Sequence, residues 1–180
     1  HWIRRQGGEM PSRELLGLLW QDVALALEDA NPRLSLQGLE CRRFQGRLHL
    51  VPPGLAPREE VLPIRVGETL CLPDGLGAFR LLSSDGGEGL RPPREDEPLS
   101  VRFQVASGVM LKPVGRVGSR RLKKLLQEYG VPSWQRGRIP ILYYGEQVAL
   151  VAGLFVCDGF LAPEGGIKGD WRRAVAPARD

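Results

Sequence analysis

Histidine and cysteine are scarce in this chain of 180 residues. Its two histidines are His1 and His49, and its three cysteines, Cys41, Cys71 and Cys157, lie far apart and never form a Cys-x-x-Cys pair. An odd, dispersed set of thiols suits neither a disulfide framework nor a zinc site, and reduced thiols in a cytosolic protein are the simplest account. So few histidines leave no material for a His-based metal centre or catalytic triad. No apolar run approaches the length that spans a bilayer, so no membrane partner and no secretory leader are expected. The sequence has no Gly-x-x-x-x-Gly-Lys-Ser/Thr loop, no Gly-x-Gly-x-x-Gly between strand and helix, and no Gly-x-Ser-x-Gly elbow. No pair of acids sits in an otherwise apolar setting. The chain is therefore expected to carry no catalytic residue, no metal and no cofactor of its own.

What is present is ordinary in amount and unusual in placement. Hydrophobic residues make up 42% and charged residues 26%, as in a globular protein, and the length suits one large domain or two small ones. The net charge is only +4, but residues 112–138 hold eight cations (Lys112, Arg116, Arg120, Arg121, Lys123, Lys124, Arg136, Arg138) against one acid, Glu128. That window carries +7 and the remainder −3. A basic field confined to one segment attracts and steers a polyanion.

The chain opens without Met, and Trp-Ile-Arg-Arg-Gln at its start reads as the end of a helix closed by Gly7-Gly8, so a preceding segment is expected. Ser12 then suits an N-cap, with Glu14 in the first turn, where a carboxylate complements the helix dipole. Leu16, Trp20, Val23 and Leu27 come next at helical spacing, widened by Leu15 and Leu19, and Asn31-Pro32 ends the element. Alternating runs at 34–39, 40–44 and 47–51 predict a small sheet in which Leu48, Leu50 and Phe44 point one way. Residues 52–57 are a linker by composition. Short β runs are predicted at 61–66, 69–72 and 78–82, and residues 85–97, rich in Gly, Pro and acid, read as an exposed loop. Further on, a strand-turn-strand pattern covers 99–106 and 109–114, and a hairpin joins 139–144 to 147–155 through Gly145-Glu146. After Gly159 the tail is dominated by Gly and Pro, with Trp171 as one more apolar anchor.

Between these strands the spacing predicts a helix over 119–129. Ser119 is the expected N-cap, and Leu122, Leu125, Leu126 and Tyr129 share one face. Arg120, Arg121, Lys123, Lys124 and Gln127 fall on the opposite arc. The plain alternative is a solvated polar face. Against it, four cations crowd the helix N-terminus, where the macrodipole is already positive, at roughly 0.3–1 kcal/mol each. The one acid, Glu128, comes four residues after Lys124, the weaker orientation for an ion pair. Such a face is relieved by an anion, and helix N-terminal N–H groups bind phosphate directly. Pro132-Ser-Trp-Gln-Arg-Gly-Arg138 extends the patch, with Arg136 and Arg138 of the same parity. Trp134 can stack on a base or pack against the hairpin, and an aromatic beside a proline turn is more often a packing plug. A weaker basic set comprises Arg4, Arg5, Arg13, Arg43 and Arg47 with Arg42, whose strand position sends Arg42 and Arg43 to opposite faces. A basic helix that meets an acidic protein, or the acidic loop of its own chain, is the rival reading.

The string Gly-Arg-Val-Gly-Ser-Arg-Arg-Leu-Lys-Lys-Leu-Leu-Gln-Glu-Tyr-Gly-Val-Pro-Ser-Trp-Gln-Arg-Gly-Arg-Ile-Pro-Ile-Leu-Tyr-Tyr-Gly-Glu from Gly115, with the later Val-Ala-Gly-Leu-Phe, resembles the C-terminal domain of the bacterial tRNA(Ile)-lysidine synthetase family. Met10-Pro-Ser-Arg13 and Cys41-Arg-Arg-Phe-Gln-Gly-Arg-Leu48 resemble that family's middle, substrate-binding domain. Residues 52–98 resemble it little. Arg121 stands where the family often has Lys. The resemblance implies an ATP- and magnesium-dependent ligase that joins lysine to the wobble cytidine of tRNA(Ile) with a CAU anticodon, in the cytoplasm. It also implies that the chemistry belongs to an N-terminal PP-loop domain with a Ser-Gly-Gly-x-Asp-Ser motif, which is not in this sequence. The expected organisation is α+β: a middle domain over 1–52, a linker and β segment over 53–98, and a C-terminal tRNA-binding domain over 99–180. The first is a small helical and β-hairpin domain, and the last is mostly antiparallel β with one basic helix. By the same resemblance Arg116, Arg120, Arg121, Lys123, Lys124, Arg136 and Arg138 hold the acceptor stem.

Overall fold

The computed structural model describes residues 2–5, 8–27, 30–53, 59–84 and 86–174. It divides into two units, His1–Ala56 and Pro57–Asp180. Gly7, residues 54–57 of the expected linker and Asp85 at the start of the acidic loop lie outside the described residues.

The first unit begins with α1 (Trp2–Arg5), whose end is marked by the Gly8 N–H donating to the Ile3 carbonyl at 3.0 Å. Helix α2 (Arg13–Leu18) is capped as its sequence predicts, because Ser12 Oγ accepts from the Leu15 N–H at 3.2 Å and Glu14 lies in the first turn. The helix then widens into a π-helical segment, Leu19–Ala24, closed by the Leu25 N–H on the Trp20 carbonyl. This widening changes the buried face. Leu19 and Val23 are buried with Leu15 packed beside them, whereas Leu16, Trp20 and Leu27 of the expected stripe are exposed. Three antiparallel strands come next in order, β1 (Arg33–Leu36), β2 (Leu39–Phe44) and β3 (Arg47–Val51). Their registers put Leu34, Cys41 and Leu50 opposite one another, and the small core closes around Cys41, Leu36, Ile3, Leu19 and Val23.

In the second unit every pairing is antiparallel. Strands β4 (Leu62–Pro63), β5 (Thr69–Cys71), β6 (Ala78–Ser84) and β7 (Gly89–Leu90) precede β8 (Leu99–Arg102), β9 (Met110–Leu111) and β10 (Arg120–Arg121). Helix α3 (Leu122–Glu128) and a 3-10 segment, Ser133–Arg138, lead to β11 (Ile141–Tyr144), β12 (Gln147–Val151), β13 (Phe155–Val156), β14 (Leu161–Ala162) and β15 (Gly166–Arg172). One sheet has the order β13-β12-β11-β8-β4 and the other β14-β7-β15-β6-β5. The predicted hairpin is β11–β12, whereas β9 pairs with β10 rather than with β8. The two sheets approach closely at Gly169, where a Cβ would come within 2.5 Å of Leu150 Cδ2 and 3.0 Å of Phe79 Cζ.

Two expectations change here. Residues 53–98 do not stand apart from the C-terminal strands, because β4 pairs with β8 and β6 pairs with β15 along its whole length. The acidic loop is also less open than its composition suggests. Leu90 is buried, and Arg91 grips Glu97 with two hydrogen bonds, at 2.7 and 2.6 Å. The Arg91 guanidinium covers the rings of Tyr144 and Phe160, and its carbonyl accepts from the Tyr144 hydroxyl at 2.8 Å. Tyr144 is fully buried, which pushes its hydroxyl up to a pKa of about 12.

Candidate nucleic-acid interface

Helix α3 is fixed by its apolar face. Leu125 and Leu126 are buried, Leu122 and Tyr129 pack beside them, and the Tyr129 ring stacks on Phe155 with centroids 5.3 Å apart. Burial of such leucines is worth about 1.5–3 kcal/mol each, so the opposite face is held towards solvent by a rigid base. The polar positions then divide into two groups.

Arg116 sits after the Gly115 turn, where φ is +75°, and its guanidinium lies 4.6 Å from the centre of the Tyr129 ring. It donates to Glu128 at 2.7 Å, and Arg120 Nε stands 3.9 Å from the same carboxylate. Glu128 thus neutralises arginines from the lead-in to the helix rather than Lys124 on the helix. Arg121, Lys123 and Lys124 are exposed and form no ion pair with another described residue. These three are the free cations of this surface among the described residues. Lys112, at the other end of the basic window, pairs with Asp158 at 2.7 Å.

The helix is shorter than its spacing predicts. Arg120 and Arg121 are extended and pair with Leu111 and Met110, so Ser119 is no N-cap and Arg121 occupies the cap position without a side-chain bond. Strand pairing supplies backbone hydrogen bonds that one more helical turn would have supplied, and two successive arginines avoid the positive end of the dipole by leaving the helix. Only Lys123 and Lys124 remain in its first turn. A helix of seven residues is not the phosphate-binding N-terminus expected, and side-chain charge must do that work.

Arg136 and Arg138 lie on the 3-10 segment and do not form a matched pair. Arg136 Nε donates to the Val131 carbonyl at 3.0 Å, and partial burial lowers its pKa. It braces the turn after α3. Arg138 faces the other way round the segment and donates to the Asp74 carbonyl at 3.2 Å. Trp134 is half-buried and belongs to neither the core nor the open surface.

Within the first unit, Arg4, Arg5, Arg13 and Arg47 are exposed. Arg43 is not available: it shares the inner face with Cys41 and Leu48, and its guanidinium bonds to the Ala26 carbonyl just beyond the π-helical segment. Arg42, on the outer face, is buried against Glu40 with contacts of 2.9 and 2.6 Å. The two arginines do face opposite ways, and both are structural. Among the described residues no group of His, Cys, Asp and Glu could hold a metal ion, and no helix is long and apolar enough to cross a membrane.

Comparison with known families finds two matching stretches of the chain. The family model described as the TilS substrate binding domain matches residues 1–49, and that described as the TilS substrate C-terminal domain matches residues 99–171. The chain belongs to the TilS family. Its relatives include the tRNA(Ile)-lysidine synthase of Serratia proteamaculans, 43% identical over 171 residues, which covers 95% of this chain and 38% of that protein. The enzyme of the same name from Vibrio cholerae is 48% identical over 158 residues, 86% of this chain and 35% of the relative. That from Shigella flexneri is 41% identical over 177 residues, 97% and 40% respectively. The chain thus spans about two fifths of the length of these curated relatives. The substrate C-terminal match of the TilS family runs from the start of β8 into β15 and therefore contains α3 with all its cations. A cleft beside Trp171 escapes a reading of the sequence alone; the only signal for it is Trp-Arg-Arg at the end of an otherwise Gly-rich tail.

Proposed function

We propose that this chain is the tRNA-gripping, non-catalytic portion of a tRNA(Ile)-lysidine synthase. The observation that carries the reading is a set of three exposed cations, Arg121, Lys123 and Lys124, with no ion-pair partner among the described residues. They lie on and just before a helix anchored by buried leucines. Arg116 and Arg120 stand beside them, part-neutralised by Glu128. The arrangement suits A-form RNA, whose phosphates and 2′-hydroxyls are reached across a broad surface and not through a deep groove. On this reading the partner is tRNA(Ile) with a CAU anticodon, contacted at its acceptor stem. Lysine ligation, with its ATP and magnesium, belongs to a PP-loop domain elsewhere in a cytoplasmic enzyme. The set in the first unit, reduced to Arg4, Arg5, Arg13 and Arg47, would help orient the same RNA.

The rival, in which α3 meets the acidic loop of its own chain, loses an acid to Arg91, which already holds Glu97. The test is the affinity for a tRNA(Ile) transcript across a salt series. The logarithm of affinity should fall linearly with the logarithm of salt, by roughly 0.7–0.9 per phosphate neutralised. Lys123→Glu combined with Lys124→Glu should weaken binding by about tenfold or more and flatten that slope. Affinity indifferent to both salt and the double substitution would overturn the reading.

A further inference from the structure

A cleft of about 230 Å³ opens in the second unit between the turn before β6, the 3-10 segment and the end of β15. It is lined by Leu76, Gln135, Arg138, Ile139, Trp171 and Arg173. Three features make it a formed site and not a chance hollow. The Trp171 indole N–H donates to the Leu76 carbonyl at 2.8 Å, which fixes the ring plane. The Arg173 guanidinium lies over that ring, 4.4 Å from its centre. Gly77, at φ +91°, lets the chain after β15 pass so close that a Cβ there would stand 2.0 Å from the Arg172 carbonyl oxygen and 2.6 Å from the Ala174 nitrogen. A side chain at Gly77 would push that wall away.

We infer that this cleft takes one unstacked nucleotide of single-stranded RNA, its base layered on the outer face of the Arg173 guanidinium that rests on Trp171, and its phosphate beside Arg138; the inference rests on the reading of the chain as an RNA-binding protein. At 4.4 Å from its centre the guanidinium rests directly on the indole, a pre-formed platform whose outer face is exposed with the rest of Arg173. A base adds the outer layer of an indole–guanidinium–base stack, since arginine planes pack on the π-face of any base. Arg138 gives one donor to Asp74 and keeps the rest of its fork for an anion. Gln135 is exposed at the rim, where its amide can both donate to and accept from a base edge. Size sets the ligand. Clefts for whole small molecules run to roughly 300–1,000 Å³, and this one is of a size to hold a base with part of its ribose. It is also separate from the duplex-gripping face, because Arg121, Lys123 and Lys124 do not line it.

The probes are a fluorescein-labelled single-stranded hexaribonucleotide, a blunt RNA duplex of the same composition, and adenosine monophosphate. They are used with the whole chain. Arg173→Ala with Gln135→Ala should weaken the hexaribonucleotide about tenfold while duplex affinity stays within about twofold. In the unaltered chain the indole N–H resonance of Trp171 should shift on addition of the hexaribonucleotide. Because Trp171→Ala removes packing as well as stacking, that resonance and the exposed Arg173 and Gln135 variants carry the test. An unmoved Trp171 resonance, or an unchanged hexaribonucleotide affinity in the double variant, overturns the inference. Adenosine monophosphate binding as tightly as the hexaribonucleotide also overturns it, by assigning the cleft to a free nucleotide. Failure of the basic-face reading looks different: Lys123→Glu with Lys124→Glu would then leave duplex affinity unchanged.

Discussion

Glu97 has a carboxyl held at a pKa of about 2, first because Arg91 donates two hydrogen bonds to it and then because the Arg94 N–H donates a third. An unfolded chain would let the same group titrate near 4.5. The ionised form is therefore favoured by folding, and its contribution is complete above about pH 5 and disappears as the pH falls towards about 2. Melting temperatures measured across that window should drop more steeply for the unaltered chain than for Glu97→Gln, which has no carboxylate to protonate. Parallel curves would show that the Arg91–Glu97 pair does not link this loop to the fold. The sequence offered no route to the pair. Arg91 and Glu97 lie in a stretch whose composition is that of a solvated loop, and only the Tyr144 and Phe160 rings beneath Arg91, from distant parts of the chain, give the loop something to hold. Arg43 teaches the same point in reverse. Strand alternation correctly separated it from Arg42, yet no pattern in the sequence could say that the inner face ended on a free carbonyl at Ala26.

At the scale of single elements, α3 was legible on its apolar side and misread at its start. Leu122, Leu125, Leu126 and Tyr129 are where the spacing put them, because burial against a core repeats with the period of the helix. The first residues were misplaced because extended Arg120 and Arg121 find partners in Met110 and Leu111, a pairing between segments ten residues apart that local propensity cannot register. The π-helical segment is a similar case. Leu16 and Trp20 fit an α-helical stripe, and a local widening turned them outward. Folding back from β10 also brings Arg116 and Arg120 to Glu128, which makes this acid a brake on the basic face. Glu128→Gln should release both arginines, raise affinity for the tRNA transcript several-fold at low salt, and steepen the salt dependence by roughly one phosphate equivalent. The measurement is the same salt titration, and a slope equal to that of the unaltered chain would mean that Arg116 and Arg120 do not reach phosphate.

At the scale of the whole molecule, composition and turn signals anticipated a boundary at 52, close to the division between Ala56 and Pro57, and the α+β class. They did not reveal that β4 to β7 belong with the later strands of the second unit. The seven residues of β15 were hidden for the same reason: their Gly-Ile-Lys-Gly-Asp-Trp-Arg sequence has weak strand character and is held by pairing with β6, some eighty residues earlier. Long-range pairing is what a reading of local windows omits. The two units also differ in what holds them. Among the described residues, five buried apolar ones, Ile3, Leu19, Val23, Leu36 and Cys41, close the core of the first, whereas the second buries both inner sheet faces from Ile64 to Ile167. Small units bury a smaller fraction of their surface and are correspondingly marginal. Calorimetry should therefore resolve two transitions, with the first unit melting at the lower temperature. Val23→Ala, which removes two methyl groups from a fully buried site, should lower that transition alone, by about 1–3 kcal/mol. The upper transition should stay in place, since Val23 lies in the core of the other unit. A single transition that shifts as a whole in the variant would show instead that the small core is stabilised by, and cooperative with, the large one.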